Sequence, residues 1–139
     1  EIVKLTKTVS DILETDVDEK YYYNGKPLYD RLKDDVTEKD AVYQWRRQYV
    51  RKNKKGVCPT LTANMGMGGH NVPIIVDKKG IRKLTPRECG RLMGVKDEDI
   101  TKILKHQSNA SAYHLFGDSI VCDVLVYVFK NMMEDKWKK

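Results

Sequence analysis

The residues best suited to chemistry in this sequence surround three glycines, Gly66, Gly68 and Gly69, in the stretch "GVCPTLTANMGMGGHNVPIIVD", residues 56–77. Strand-like runs at residues 57–63 and 72–76 precede and follow them. The neighbouring side chains carry hydroxyl, amide and imidazole groups that hydrogen-bond base edges and phosphates: Thr60, Thr62, Asn64, His70 and Asn71. Two interpretations stay open. The glycines allow a tight, twisted connection between strands, or they let bare backbone lie against a bulky partner.

A nucleotide-binding phosphate loop is the less favoured interpretation of these glycines. The string "GMGGHN" approaches the pattern G-x-G-x-x-G, but Asn71 occupies the last glycine position. No helix is predicted after it, so no helix N-terminus would face the phosphates.

Directly upstream lies a basic run, residues 46–55 ("RRQYVRKNKK"), which contains no acidic residue. Its cations are Arg46, Arg47, Arg51, Lys52, Lys54 and Lys55. Such a run is either a solvated loop or a set of phosphate contacts. The whole chain has 26 basic and 20 acidic residues, and its net charge of +6 favours an anionic partner. Combined with the polar glycine-rich stretch, the basic run predicts a nucleic-acid-binding face.

The sequence offers no catalytic centre and no metal site. Cys58, Cys89 and Cys122 are far apart, no C-x-x-C occurs, and the three histidines have no ligand spacing with them. Cys58 precedes a proline in a strand-like run, Cys89 falls in a short helix, and Cys122 falls in an apolar segment. We therefore predict that all three are buried small residues in a reducing cytosol, and not nucleophiles.

Short helices and turns are predicted on either side of the glycine-rich stretch. Residues 8–24, 26–35 and 97–106 have apolar side chains at helical spacing, residues 37–50 stay open, and residues 78–81 ("KKGI") predict a turn. The clearest local signal is "LTPRECGRLMGV", residues 84–95. Thr85 and Glu88 form a capping box, Pro86 suits the first helical position, and Gly94 suits the end of the helix.

The last segment, residues 120–137, is apolar nearly all round from Ile120 to Phe129. Its length favours a helix, although its β-branched residues keep a strand as the alternative. A helix without a polar face is expected to be covered on most sides. We find no signal peptide and no span of about twenty apolar residues, so the sequence predicts a cytoplasmic protein and no membrane association.

Three strings, in order, carry a resemblance to a known family: "PTLTANMGMGG", "RKLTPRECGRLMG" and "YHLFGDSIVCDVL". They resemble the C-terminal part of a bacterial DNA (cytosine-5)-methyltransferase, comprising its target recognition domain and its last two conserved motifs. "TVSDILE" followed by "VDEKYY" is similar to the segment that precedes that domain. The resemblance covers essentially the whole chain, and its most specific string is "RKLTPREC".

The resemblance implies an α+β fold in three parts. Residues 1–40 would connect into the small domain, residues 41–94 would form the target recognition domain with an irregular β hairpin or sheet and short helices, and residues 95–139 would form an arm. The apolar helix of this arm would pack on a Rossmann-like catalytic domain that is absent from this chain. That domain, in the family, binds S-adenosylmethionine and carries a Pro-Cys nucleophile, and the target cytosine is flipped out of the DNA.

The family's catalytic signatures are missing here, since the sequence has no F-x-G-x-G, no Pro-Cys and no Glu-Asn-Val, and Cys58 precedes a proline instead of following one. The resemblance therefore implies a fragment or split subunit of a restriction-modification methyltransferase. It would be inactive alone, would act on double-stranded DNA, and would need an N-terminal catalytic domain or subunit. The alternatives are a stand-alone sequence-specific DNA-binding module, an inactive relative, or a basic α+β protein with an acidic partner.

Individual roles also follow from the resemblance. Gln44 and Arg47 match a Gln-x-x-Arg that the family places near the gap left by the flipped base, and Thr60 and Leu61 open its base-reading segment. The residues implied at the DNA are Gln44, Arg46, Arg47, Arg51, Thr60, Leu61, Thr62, Asn64, Gly66, Gly68, Gly69, His70, Asn71 and Arg82. The residues implied to close the cofactor pocket are Asp118, Ser119 and Ile120. Asp118 stands where the family usually has Asn, and its charge would repel the cofactor's carboxylate.

Overall fold

The computed structural model describes residues 6–136 of the 139, with side chains described through residue 133. Two 3-10 turns, Val9–Ile12 and Glu19–Tyr21, come first. They are followed by α1 (Tyr29–Leu32), β1 (Tyr43–Trp45), β2 (Val50–Lys52), β3 (Ile74–Val76), β4 (Ile81–Lys83), α2 (Pro86–Leu92), α3 (Asp97–His106), α4 (Asn109–Asp118) and α5 (Cys122–Lys136). A four-stranded antiparallel sheet with helices confirms the predicted α+β class.

The sheet has the strand order β2-β1-β3-β4. Consecutive residues of its central strands enter two different cores, because side chains alternate between the faces of a strand. Val42 and Ile75 enter a core shared with α2, α3 and α4, while Tyr43 and Ile74 enter a second core that includes Leu32 of α1. The sheet is therefore covered on both faces, and its β1–β2 end carries the basic run.

The short helices predicted from apolar spacing are confirmed as the two 3-10 turns, α1, α2 and α3. In α2 the capping box is present, with the Thr85 side chain accepting from the Glu88 N–H and the Glu88 side chain accepting from the Thr85 N–H. The chain leaves this helix through Gly94, whose φ of +79° is costly for residues with a Cβ. Local capping thus fixes both ends of α2.

The predicted strand at residues 57–63 is wrong. Residues 57–62 form no strand, whereas the following run forms β3 as predicted. Pro59 has no N–H for a ladder bond, and the backbone at Thr62 and Ala63 lies against Gly117 of α4. The glycines consequently do not connect two strands, which removes the hairpin interpretation. A hairpin does occur between β1 and β2, and β2 lies inside the basic run.

The last segment forms α5, as predicted, and its apolar side chains are exposed. Val126, Phe129 and Met133 are 51, 58 and 62% exposed. Cys122, predicted to be buried, is exposed, because the described part of the chain does not cover this helix. The N–H of Cys122 donates to the Met93 carbonyl at 2.9 Å, so the start of α5 is attached to the end of α2.

By length and composition alone, the run Asn109–Met133 could cross a membrane, contrary to the sequence expectation that no such span exists. The structure interrupts this run between α4 and α5. Ala112, Tyr113 and Phe116 of α4 are also buried in the protein core. One face of the first half of this run therefore packs inside the protein.

Candidate nucleic-acid interface

The β1–β2 hairpin presents the basic run at one end of the sheet. Gln44 pairs with Arg51 across the two strands, so their side chains share a face. The turn closes where the Arg46 N–H donates to the Tyr49 carbonyl at 2.8 Å. Arg47, inside the turn, has a φ of +69°, a left-handed conformation that is costly for a residue with a Cβ. The backbone is therefore strained at Arg47, within the positively charged tip of the hairpin.

The arginines of this tip are available to an anion. Arg47 and Arg51 are exposed and Arg46 is half-buried. Among the described residues none of the three forms an ion pair, whereas Lys52 pairs with Glu38. The hairpin therefore concentrates uncompensated positive charge, which is the electrostatic requirement for phosphate contacts.

The glycine-rich loop, residues 60–71, is anchored at its centre and open at its tip. Met65 is fully buried, and Lys83 Nζ donates to the Gly66 carbonyl at 3.2 Å. Met67, at the tip, is 76% exposed. Gly68 and Gly69 follow with φ of +93° and +85°, and a Cβ on either would meet no atom within 4 Å. The tip is therefore a bare, left-handed backbone with free space around it.

Gly66 is a glycine for a different reason. Its φ is not in the left-handed region, but an added Cβ would lie 2.2 Å from Cδ2 of the Tyr113 ring. The contact that requires a glycine here is thus within the chain, which corrects the expectation that all three glycines make room for DNA.

Polar side chains join the loop to the hairpin. Gln44 Nε2 donates to the Asn71 carbonyl at a long 3.5 Å, and Asn71 Nδ2 donates to Asn64 Oδ1 at 3.4 Å. The Thr62 hydroxyl donates to the same Asn64 oxygen at 2.9 Å. Hairpin and loop are therefore joined through the buried Gln44, and Asn64, Asn71 and the exposed Thr60 lie on the surface that they form. Leu61 and His70 are half-buried, and Leu61 packs against the core.

Gln44 itself is only 3% exposed, and its Oε1 has no hydrogen-bond partner in the described protein. A buried acceptor without a partner is uncommon and costs free energy. The amide is therefore poised to gain a hydrogen bond if it leaves this position.

The side chain of Arg82, for which the resemblance implied either a structural role or a contact with DNA, is fully buried. Its guanidinium donates to both carboxylate oxygens of Glu88 at 2.8 Å and to Asp77 at 2.6 Å. Glu88 also accepts from the Glu14 N–H at 2.8 Å, which ties the N-terminal segment to α2. Burial opposes ionisation of Asp77. Hydrogen bonds from the side chains of Arg82 and Tyr22 and from the backbone N–H of Lys79 outweigh this effect and lower the pKa of Asp77. Arg82 is therefore structural.

The three residues implied for the cofactor follow one another at the end of α4 and are exposed. His114 Nδ1 lies 2.9 Å from an Asp118 carboxylate oxygen, the Ser119 hydroxyl donates to the Leu115 carbonyl at 2.7 Å, and Ile120 is 61% exposed. Two cavities of the described chain, of about 400 and 210 Å³, are lined by other residues. The segment 118–120 thus lines neither of these cavities.

Two of the three cysteines lie in surroundings that disfavour the thiolate. Burial raises the pKa of Cys58 to about 12 and raises that of Cys89 well above its usual value. Cys122 is exposed at the start of α5. No group of three or more potential metal ligands occurs among the described residues.

Sequence reasoning missed several residues of this surface. Tyr49, which faces Arg46 across the turn, is 59% exposed. The Arg31 guanidinium lies 5.7 Å from the Trp45 ring centre, beside Arg47, in the larger cavity. An aromatic residue inside a basic run is a signal for nucleic-acid binding that could have identified Tyr49. Arg31 lies outside the basic run in the sequence, and only the folding of α1 against β1 brings it to this surface.

Comparison with known proteins identifies a family and relatives that the chain resembles. The model of the family "C-5 cytosine-specific DNA methylase" matches residues 2–134. The chain is 43% identical over 132 residues to the type II methyltransferase M.Bsp6I of Bacillus sp. (strain RFL6), covering 92% of the chain and 41% of that relative. It is 30% identical over 138 residues to the type II methyltransferase M2.ScrFI of Lactococcus lactis subsp. cremoris, covering 95% of the chain and 35% of the relative. The chain thus spans well under half the length of these relatives.

Proposed function

This chain belongs to the C-5 cytosine-specific DNA methylase family, and from that premise we propose that it carries the DNA target recognition of a cytosine-5 methyltransferase. The reaction is transfer of a methyl group from S-adenosylmethionine to C5 of a cytosine in a specific duplex site, within a bacterial restriction-modification system in the cytoplasm. Residues 41–94 are the recognition domain, residues 1–40 lead into it, and residues 95–139 are the arm that leaves it.

The observation that carries this proposal is the single surface formed by the hairpin tip and the glycine-rich loop. The 3.5 Å contact from Gln44 to the Asn71 carbonyl joins them. The exposed arginines of the hairpin supply phosphate contacts, which position the protein without reading sequence. The loop supplies amide and hydroxyl groups, and the bare backbone of Gly68 and Gly69 approaches the base edges in the major groove.

Gln44 has a separate role in this proposal. Extrusion of the target cytosine leaves unpaired groups on the remaining base. The Gln44 amide, held with an unpartnered Oε1, supplies both a donor and an acceptor that satisfy such groups when it moves out of its buried position. Arg47, three residues along in the strained turn, holds the adjacent phosphate.

The arm serves the catalytic part of the enzyme. The exposed apolar face of α5 packs on a domain that binds S-adenosylmethionine, the group that supplies the methyl, and residues 118–120 form one wall of that pocket. The carboxylate of Asp118 lies 2.9 Å from His114 Nδ1, and it would face the cofactor's carboxylate. On this proposal the nucleophile that attacks the cytosine belongs to the catalytic part, and this chain contributes recognition and closure of the cofactor pocket.

A chimera tests the proposal. This chain replaces the matched segment of M.Bsp6I, and incorporation of labelled methyl groups into duplex DNA is measured. We expect transfer by the chimera and none by the chain alone. The matched control is the same chimera with Arg46, Arg47 and Arg51 changed to Gln, which folds but transfers poorly. A folded chimera without activity, or activity of the isolated chain, would contradict the proposal.

A second assay addresses DNA reading without the reaction. The purified chain is incubated with duplexes that carry a random central segment, and the bound fraction is sequenced. Enrichment of a defined sequence is expected. Retention that depends on salt but enriches no sequence would leave only a non-specific DNA-binding module.

A further inference from the structure

The conformation of the glycine-rich loop depends on α4, a helix outside the predicted recognition domain. Gly117 lies against the loop so closely that an added Cβ would be 2.2 Å from the Thr62 carbonyl carbon and 2.3 Å from the Ala63 nitrogen. These are backbone atoms, so they cannot move aside as a flexible side chain would. The C-terminal end of α4 therefore fixes where the loop backbone passes.

A second contact lies one turn earlier on the same helix. The ring of Tyr113 packs on Gly66, where a Cβ would lie 2.2 Å from Cδ2. The ring is itself held, because the Tyr113 hydroxyl donates to the Leu84 carbonyl at 2.5 Å and the side chain is only 2% exposed. Lys83 Nζ lies 5.5 Å from the centre of this ring and donates to the Gly66 carbonyl.

These contacts lie on either side of Asn64, one of the proposed reading residues, and next to the exposed tip. Thr62 and Ala63 precede Asn64, and Gly66 immediately precedes the exposed tip that begins at Met67. A shift of either contact would displace the side chains between them by a comparable distance. Hydrogen bonds to base edges do not tolerate such displacement.

We propose that Gly117 and Tyr113 are positioning residues for DNA recognition, which set the sequence specificity of the loop without touching DNA. The inference rests on the proposed function, since it concerns the same loop. Two loops of identical sequence seated on different α4 helices would accordingly read DNA differently, and exchange of recognition between relatives requires exchange of α4 together with the loop.

The chain offers a matched control for the test. Gly90, in α2, is also a helical glycine without a left-handed φ, and its added Cβ would meet side-chain atoms of Ile100 and Phe116 at 2.9 Å. Gly90→Ala therefore crowds the ends of two side chains, which can move aside, whereas Gly117→Ala meets the loop backbone itself. Both substitutions add the same methyl group in a helix.

The test applies the random-duplex selection to the full chain and to both variants, with thermal melts and with binding to a duplex that lacks the enriched sequence. For Gly117→Ala we expect the ratio of specific to non-specific affinity to fall about tenfold or more, the size of a lost base contact. Gly90→Ala should lower the melting temperature and leave that ratio unchanged. Equal ratios in the wild type and in folded Gly117→Ala would overturn the inference.

A milder variant decides the matter if Gly117→Ala does not fold. Lys83→Met removes the donor to Gly66 and keeps the side-chain stem, and burial already lowers the pKa of Lys83. Amide hydrogen exchange should become faster in residues 60–71 and stay unchanged in α2, with a reduced specificity ratio. Unchanged exchange and an unchanged ratio would overturn the inference. Absence of any enriched sequence with the wild type would instead refute the proposed function, on which the inference depends.

Discussion

Replacing the three arginines of the hairpin tip should reduce the salt dependence of DNA binding by a calculable amount. Each phosphate contact contributes about 0.9 to the slope of log Kobs against log salt. Of the six cations in residues 46–55, Lys52 is paired with Glu38, which leaves five and a wild-type slope of roughly −3 to −5. Arg46→Gln, Arg47→Gln and Arg51→Gln together should flatten it by about 2.7, three contacts at about 0.9 each.

The assay is fluorescence anisotropy of a labelled duplex titrated with the chain at several salt concentrations between about 50 and 200 mM. The control changes Lys20, Lys33 and Lys102 to Gln. It removes the same net charge from exposed lysines that already pair with aspartates at 3.3, 3.0 and 3.0 Å. We expect a slope close to that of the wild type for this control. An unchanged slope in the arginine variant, or an equal change in both, would mean that the basic run is a solvated loop.

Other substitutions separate recognition from stability. Gly68→Ala places a Cβ at a φ of +93°, so it should cost about 1 kcal/mol of folding free energy in a urea titration and, in addition, weaken specific more than non-specific DNA binding. Arg82→Met leaves buried carboxylates without their partner and should destabilise the fold by about 3–5 kcal/mol in the same titration, while the salt slope of binding stays unchanged. Because the pKa of Asp77 is lowered in the folded chain, its contribution is present above about pH 4 and is lost as the pH falls through the folded pKa; Asp77→Asn should therefore flatten the acid side of the stability profile. Iodoacetamide at pH 8 should label Cys122 in the folded chain and Cys58 only after unfolding, as measured by mass spectrometry of peptides.

Features that depend on neighbouring residues could be predicted from the sequence. The capping box of Thr85 and Glu88 and the stop at Gly94 fix α2 locally, and they appear in the structure as predicted. The turn before β4 follows the same principle, with the Asp77 N–H donating to the Gly80 carbonyl at 3.0 Å. In each case the atoms that stabilise the conformation lie within a few residues of one another.

Features that depend on distant contacts could not be predicted. The run at residues 57–63 has strand-like composition, but its backbone packs on Gly117, more than fifty residues later in the chain. The need for a glycine at position 66 arises from Tyr113. Arg82 belongs to a motif that suggested a DNA contact, yet the fold places its side chain against two carboxylates and out of reach of solvent.

Exposure of the last helix was also beyond local reasoning. The apolar composition of α5 predicts a helix and predicts that it is covered. Whether residues of the same chain pack over α5 depends on how the other elements are arranged in the fold. Val126 and Phe129 are 51 and 58% exposed, and Cys122 is exposed with them.

The central claim is that the glycine-rich loop touches DNA, and a photo-crosslinker placed at the loop tip tests it most directly. Met67 is 76% exposed and can be replaced by p-benzoylphenylalanine without disturbing the core. Lys102, exposed on α3, is the matched control position. After irradiation with a duplex that the chain retains, we predict a covalent protein–DNA product from position 67 and little from position 102. No product from position 67, or equal yields from the two positions, would contradict the assignment of this loop to the DNA.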